Sequence, residues 1–168
     1  MKTILFFRHG KSDWKAGFGQ DHERPINERG RSDVGRMGRF LVGIECLPDR
    51  ILSSSAVRAR TTMELARAAG GWGEISTEIT DALYEASPSG VLALVRAQND
   101  VFERLLLVGH EPTWSTLIGG LVGQAAVRVS TATMARVDFH ATRWNQIDYG
   151  RGELRWLVPP KLVKNFFE

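Results

Sequence analysis

Three short stretches of this chain carry side chains suited to one kind of chemistry. They are Arg8-His9-Gly10, then Ser53-Ser54-Ser55 with Arg58 close behind, then Gly109-His110-Glu111-Pro112. A guanidinium is a planar fork of N–H donors that matches the oxygens of a carboxylate or a phosphate in pairs. An imidazole is neutral for much of its population near pH 7 and can then act as a nucleophile. Two of each, beside the unpaired N–H groups of a helix N-terminus, suit a phosphoryl group. Its transition state spreads negative charge over three equatorial oxygens, so catalysis is mostly positioning and electrostatic stabilisation. An imidazole attacking phosphorus would leave a covalent phosphohistidine for water to hydrolyse. Each motif alone is common, and the other two histidines, His22 and His140, read as packed or hydrogen-bonded residues. The argument rests on the joint occurrence.

For these groups to meet, distant segments must end at one edge, and the apolar pattern supplies such segments. Lys2–Arg8 reads as a strand, Asn27 caps a helix through Val34, Met37, Phe40 and Leu41, and Arg50–Ser53 is a second strand. A helix over Ala56–Ala69 stops at Gly70-Gly71, Glu74–Glu78 is a third strand, and Ser87-Pro88 opens another helix. The apolar run Arg104–Gly109 reads as a strand buried on both faces, followed by a helix over Pro112–Val122. Met134–His140 and Leu154–Val158 complete the set. Strand–helix alternation of this kind predicts one layered α/β domain spanning residues 1–168 around a mostly parallel sheet. Open α/β sheets gather ligands at the carboxyl ends of their strands, where all three motifs fall.

Composition narrows the class. Of the 168 residues, 43% are hydrophobic and 24% charged, the balance of a globular domain with a core of its own. The single Cys46 permits no internal disulfide. A net charge of +3 without a basic run points away from nucleic acid. The apolar start, Ile4–Phe7, is cut off by Arg8 and His9 before it reaches signal-peptide length, and no stretch suits a membrane span. A cytoplasmic protein without a membrane partner is the expectation. Gly10-Lys11-Ser12 resembles the end of a P-loop, but Leu5 stands where the earlier glycine is required. Leu52 stands where a cysteine phosphatase built on Cys46 would need arginine. No Cys/His cluster has zinc spacing, and Asp21, His22 and Glu23 are neighbours in a loop, a poor arrangement for one ion.

The motifs R-H-G, S-x-x-x-R-A-R-x-T and V-G-H-E-P together resemble the histidine phosphatase (phosphoglycerate mutase-like) superfamily. R-H-G-K-S-D-W, D-H-E-R-P-I-N-E-R-G, S-S-S-A-V-R-A-R-T-T, L-Y-E-A-S and L-V-G-H-E-P resemble its SixA-type phosphohistidine phosphatase branch. The resemblance covers about the first 120 residues. It implies a three-layer α/β/α fold and a phosphatase needing no metal or other cofactor. His9 would be the nucleophile, Arg8 and Arg58 the clamps on the phosphoryl oxygens, and His110 their contact from the opposite side. Larger relatives use a glutamate as general acid, for which Glu85 is the candidate here. They also place an asparagine where this chain has Lys15. Lys11, Ser12 and Arg24 are the candidates to supply the missing phosphate donors, ahead of the helix-capping Asn27.

An ester leaving group departs as a poor alkoxide and needs a placed acid, whereas the imidazole of phosphohistidine can carry a proton near neutral pH. A loosely matched acid therefore favours N–P over O–P substrates. Only 51 residues separate Arg58 from His110, too few for a large lid, which favours a phosphorylated protein over an enclosed small molecule. A phosphatase of small phosphoesters or nucleotides and a non-catalytic phosphoprotein-binding module stay open as alternatives. Trp14, Trp114 and Tyr84 lie close in sequence to the motifs and are candidates for the rim or for ordinary packing. Pro159-Pro160 and Phe166-Phe167 are expected to dock the C-terminus onto the body or to meet a partner.

Overall fold

A computed structural model describes residues 1–167 of the chain. Six strands form one sheet: β1 (Lys2–Arg8), β2 (Arg50–Ser54), β3 (Ser76–Thr80), β4 (Arg104–Gly109), β5 (Met134–Phe139) and β6 (Glu153–Val158). Their order across the sheet is β3-β2-β4-β1-β5-β6. The first four strands pair in parallel, and β5 runs antiparallel to both β1 and β6. Four helices connect them: α1 (Glu28–Gly43), α2 (Val57–Gly70), α3 (Pro88–Arg96) and α4 (Thr113–Leu121).

Alternation along the central strands sorts the core into two layers. Ile4 and Phe6 of β1, with Leu105 and Leu107 of β4, pack with α3 and α4. Leu5 and Phe7, with Leu106 and Val108, face the other way into α1 and α2. Both faces are covered, giving three layers, α/β/α, with β1 and β4 buried at the centre. The expected fold class is the observed one.

Local chemistry explains the element ends. The Asn27 side chain accepts the Gly30 N–H and starts α1, and the Ser87 hydroxyl does the same for Gly90 ahead of Pro88 in α3. Gly71, at φ 62°, takes the left-handed position that closes α2. The third strand is displaced by two residues from its expected place. Pairing Arg50 with Ser76 and Ser54 with Thr80 carries it to the carboxyl end of β2. Its half-exposed sequence S-T-E-I-T holds too weak an apolar alternation to mark that register in advance. At the C-terminus Phe167 packs on Phe40, with ring centroids 5.8 Å apart, while Phe166 is exposed. Pro160 and Val163 are buried.

Helices α1 and α2 touch at Gly38. A Cβ there would lie 2.1 Å from the Ala66 carbonyl oxygen, so any side chain forces the two helices apart. Gly38→Ala is therefore expected to destabilise the protein. Overpacking of this kind costs about 1–3 kcal/mol, against the ~1 kcal/mol that alanine returns in helix propensity. Urea unfolding with an unchanged or raised midpoint would show that the helix contact is not the constraint.

Candidate active site

The register of the parallel strands builds the site. Arg8 lies level with Gly109 across the β1–β4 pair, so the next residues, His9 and His110, emerge side by side at the carboxyl edge. Their ring centroids are 5.3 Å apart. Neighbouring β2 leads through Ser54 into α2, whose second residue is Arg58. The loop after His9 is pressed against α1, where a Cβ on Gly30 would meet the Lys11 backbone at 2.6–2.7 Å. Thr62 of α2 ties it from the other side, its hydroxyl accepting the Gly10 N–H and donating to the Arg58 carbonyl. Ala132 donates its N–H to the His9 carbonyl.

A cavity of about 310 Å³ opens here, lined by Arg8, His9, Lys11, Ser12, Arg24, Arg58 and His110, with Trp14 at its rim. The structure thus brings together all the expected groups except Glu85. Glu85 is exposed, at φ 53°, and lines an adjoining cleft of about 400 Å³ that shares Arg58, His110 and Glu111 with the cavity. Lys15 is outside the cavity lining and exposed, and Asn27 is engaged in capping α1. Trp14 is 71% exposed and stacks on Arg24, whose guanidinium carbon lies 3.6 Å from the ring centre. Trp114 is a core residue, its indole N–H donating to the Phe7 carbonyl.

The electrostatics of the histidines follow from burial. Nδ1 of His9 lies 2.7 Å from the Gly10 carbonyl. A carbonyl can only accept, so Nδ1 carries the proton and Nε2 keeps its lone pair. Burial pushes the His9 imidazole down to about 3, against the pull of the Gly10 carbonyl, and His110, Arg58 and Arg8 lower it further. Burial, then Arg58, pushes His110 down to about 4, with Asp21 opposing. Nε2 of His110 meets the Ser54 hydroxyl at 2.8 Å, and its buried Nδ1 has no partner in the protein. Several arginine Nε atoms share that condition across the described residues, so His110 Nδ1 is the more telling member of the set.

Asp21, which the sequence offered only as a poor metal ligand, organises the cationic side. Arg58 donates to its backbone carbonyl at 2.8 Å and to its carboxylate at 3.0 Å, and the Tyr84 hydroxyl donates to the same carboxylate oxygen at 2.9 Å. Arg24 Nη1 lies 3.1 Å from its other oxygen, within ion-pair reach but out of line for a hydrogen bond. Burial opposes ionisation, yet Tyr84, Arg58 and Arg24 hold the Asp21 carboxyl below its ordinary range. His22 is bonded to Ser55 and Glu23 to the N–H groups of Gly19 and Gln20. Asp21, His22 and Glu23 do not converge, and no group of three metal-binding side chains occurs among the described residues. His140 pairs with Glu153 on the surface. Glu111 also lines the cavity and accepts the Ser115 N–H at the start of α4. Its place in V-G-H-E-P was the only signal for it, and the only one for Asp21 was its place at the head of D-H-E-R-P-I-N-E-R-G.

Nitrogen-detected NMR on the histidines checks this reading. At pH 7, His9 is expected to carry its proton on Nδ1 only, and both His9 and His110 should stay neutral through pH 5. Because the folded values lie below the unfolded value of about 6.5, their contribution to stability is complete above that pH. It is lost progressively as the pH falls toward 3. Titration of either ring at an ordinary histidine value would remove the buried neutral pair.

Residues 4–91, just over half of the chain, match the family model for the histidine phosphatase superfamily, branch 1. An uncharacterized protein of Mycobacterium leprae is 31% identical over 158 residues, covering 88% of this chain and 95% of its own. The fold superposes with TM-score 0.81 on a candidate phosphohistidine phosphatase SixA from Agrobacterium tumefaciens, 25% identical, over 95% of this chain and 98% of that one. It superposes with TM-score 0.69 on a candidate α-ribazole-5′-phosphate phosphatase from Escherichia coli, 18% identical, over 95% and 98%. The second likeness is one of fold alone. A family match and a relative this similar along most of the chain establish that the protein belongs to the histidine phosphatase superfamily.

Proposed function

We propose that the protein is a phosphohistidine phosphatase that works through a covalent intermediate on His9. The observation carrying this reading is the His9 imidazole. It is neutral, protonated on Nδ1 toward the Gly10 carbonyl, and set in a cavity lined by Arg8, Arg24, Arg58 and His110. In the first step the Nε2 lone pair attacks phosphorus, the N–P bond to the substrate imidazole breaks, and the departing nitrogen takes up a proton from solvent. The Gly10 carbonyl then faces a positively charged ring and stabilises it. Water attacks phospho-His9 in the second step, releasing inorganic phosphate and the neutral imidazole. Arg8 and Arg58 offset the charge on the equatorial oxygens, with His110 Nδ1 a further donor when it carries the proton.

Two features favour an N–P substrate on a protein. Glu85 lies outside the His9 cavity, and the carboxylate inside it, Glu111, is engaged by the Ser115 N–H. The candidate acid is therefore set off from the nucleophile, an arrangement that a phosphoramidate tolerates better than an ester. Between Arg58 and His110 the elements α2, β3, α3 and β4 take up most of the segment and leave only short connections, which favours an open site over one enclosed by a large lid.

In chelator-treated buffer, a phosphohistidine peptide should be hydrolysed faster than a phosphoserine peptide of the same sequence. His9→Ala should abolish both turnover and radiolabelling of the protein from a phosphoryl donor. Arg58→Ala should lower kcat by about 10²–10³-fold, as removal of one transition-state donor does. Glu85→Gln should slow phosphohistidine hydrolysis less than about threefold, the small effect of a group that need not protonate the leaving nitrogen. Faster turnover of phosphoserine, or loss of phosphohistidine hydrolysis in Glu85→Gln, contradicts the N–P assignment.

A further inference from the structure

A second cleft, of about 800 Å³, lies between the first half of α1, the loop before β5 and the turn at Pro159–Lys164. Arg29, Arg36, Arg128, Lys161 and Lys164 line it, and the one carboxylate among its described lining residues is Asp33. That carboxylate is already engaged. Arg36 donates to it at 2.9 Å, and Arg29 Nε lies 3.7 Å from its other oxygen. Arg128, Lys161 and Lys164 are exposed and come from two separate segments, leaving an excess of positive charge along the walls.

The cleft adjoins the catalytic cavity. Thr131 lines both, and the next residue, Ala132, donates its N–H to the His9 carbonyl. An occupant here sits beside the phosphoryl group, which favours a segment of the same molecule over an independent ion. The cleft is also more than twice the volume of the catalytic cavity.

We propose that this cleft docks an acidic segment of the phosphoprotein substrate, flanking its phosphorylated side chain. The inference rests on the phosphohistidine phosphatase reading and adds the chemistry of the partner. Exposed lysines and arginines of this kind act mainly through complementary charge, so their contribution is screened by salt. They would select substrates by the charge around the phosphohistidine and leave the chemical step alone.

The test uses peptides carrying a phosphonate-triazole analogue of phosphohistidine that resists hydrolysis. Five glutamates or five serines are placed two to six residues away on either side. Fluorescence anisotropy in 50 mM NaCl should show at least one glutamate peptide binding tenfold or more tighter than its serine counterpart, with the difference collapsing in 300 mM NaCl. The combined variant Arg128→Gln, Lys161→Gln, Lys164→Gln should abolish that difference. Its hydrolysis of free phosphohistidine, which has no flanking residues, should stay within twofold of wild type. Equal affinity for glutamate and serine peptides, with phosphohistidine still hydrolysed, overturns the docking cleft and leaves the phosphatase reading standing. Failure to hydrolyse any phosphohistidine substrate overturns that reading, and the docking proposal with it. Displacement of the glutamate peptide by tripolyphosphate at lower concentrations, through the same three cations, would reassign the cleft to a small polyanion.

Discussion

The pairing of β1 with β4 is the contact on which the site depends. These strands are far apart in sequence, yet their register sets Arg8 level with Gly109, and from that one alignment two imidazoles emerge 5.3 Å apart. A slip of one residue in β1 would turn Ile4 and Phe6 to the wrong layer, so the core itself holds the spacing of the two imidazoles. The two helices that follow these strands depart to opposite faces, α1 to one and α4 to the other. The crevice between β1 and β4 is therefore a switch point of the kind at which α/β sheets bind ligands.

Burial then decides what the groups at that edge can do. His9 and His110 are largely withdrawn from water among arginines, and both are held neutral. For His9 the Gly10 carbonyl selects the tautomer and leaves Nε2 unprotonated. The arginines pay no comparable cost in function, because a guanidinium keeps its charge even where burial lowers its pKa, as it does for Arg8 and Arg24. The result is an uncharged imidazole within a positively charged wall. Asp21 sets the direction of that wall by holding Arg58 through both its carbonyl and its carboxylate, with Tyr84 as a third partner.

The relatives differ in what they are described as acting on while sharing this frame. Fold alone therefore leaves the substrate open, and selectivity must come from the clefts around the site. Two adjoin it here. The cleft beyond His110 contains Tyr84 and Glu85, and the other carries the excess of cations beside Thr131. Their chemistry is unlike, so the surface around His9 presents two different environments.

Much of this was legible along the chain because it depends on local pattern. The continuous apolar run of β4 marked a central strand, and Asn27 and Ser87-Pro88 marked helix starts that the backbone adopts. R-H-G, Arg58 and H-E-P fell at strand ends, which was enough to place four side chains at one edge. The edge strand β3 was displaced because a half-exposed strand takes its register from its neighbour more than from its own sequence. Glu85 is the candidate acid only through the resemblance to larger relatives, and after the 3-10 turn at Asp81–Leu83 it lines the adjoining cleft. Asp21 and Ser54 stand in motifs, but their partners are not legible there, since each matters through a residue brought near by the fold, Arg58 for one and His110 for the other. The sequence by itself determined the side-chain chemistry and the order of the elements, because those follow from residue type and periodicity. Tertiary structure alone decided protonation and orientation, because these depend on burial and on partners distant along the chain.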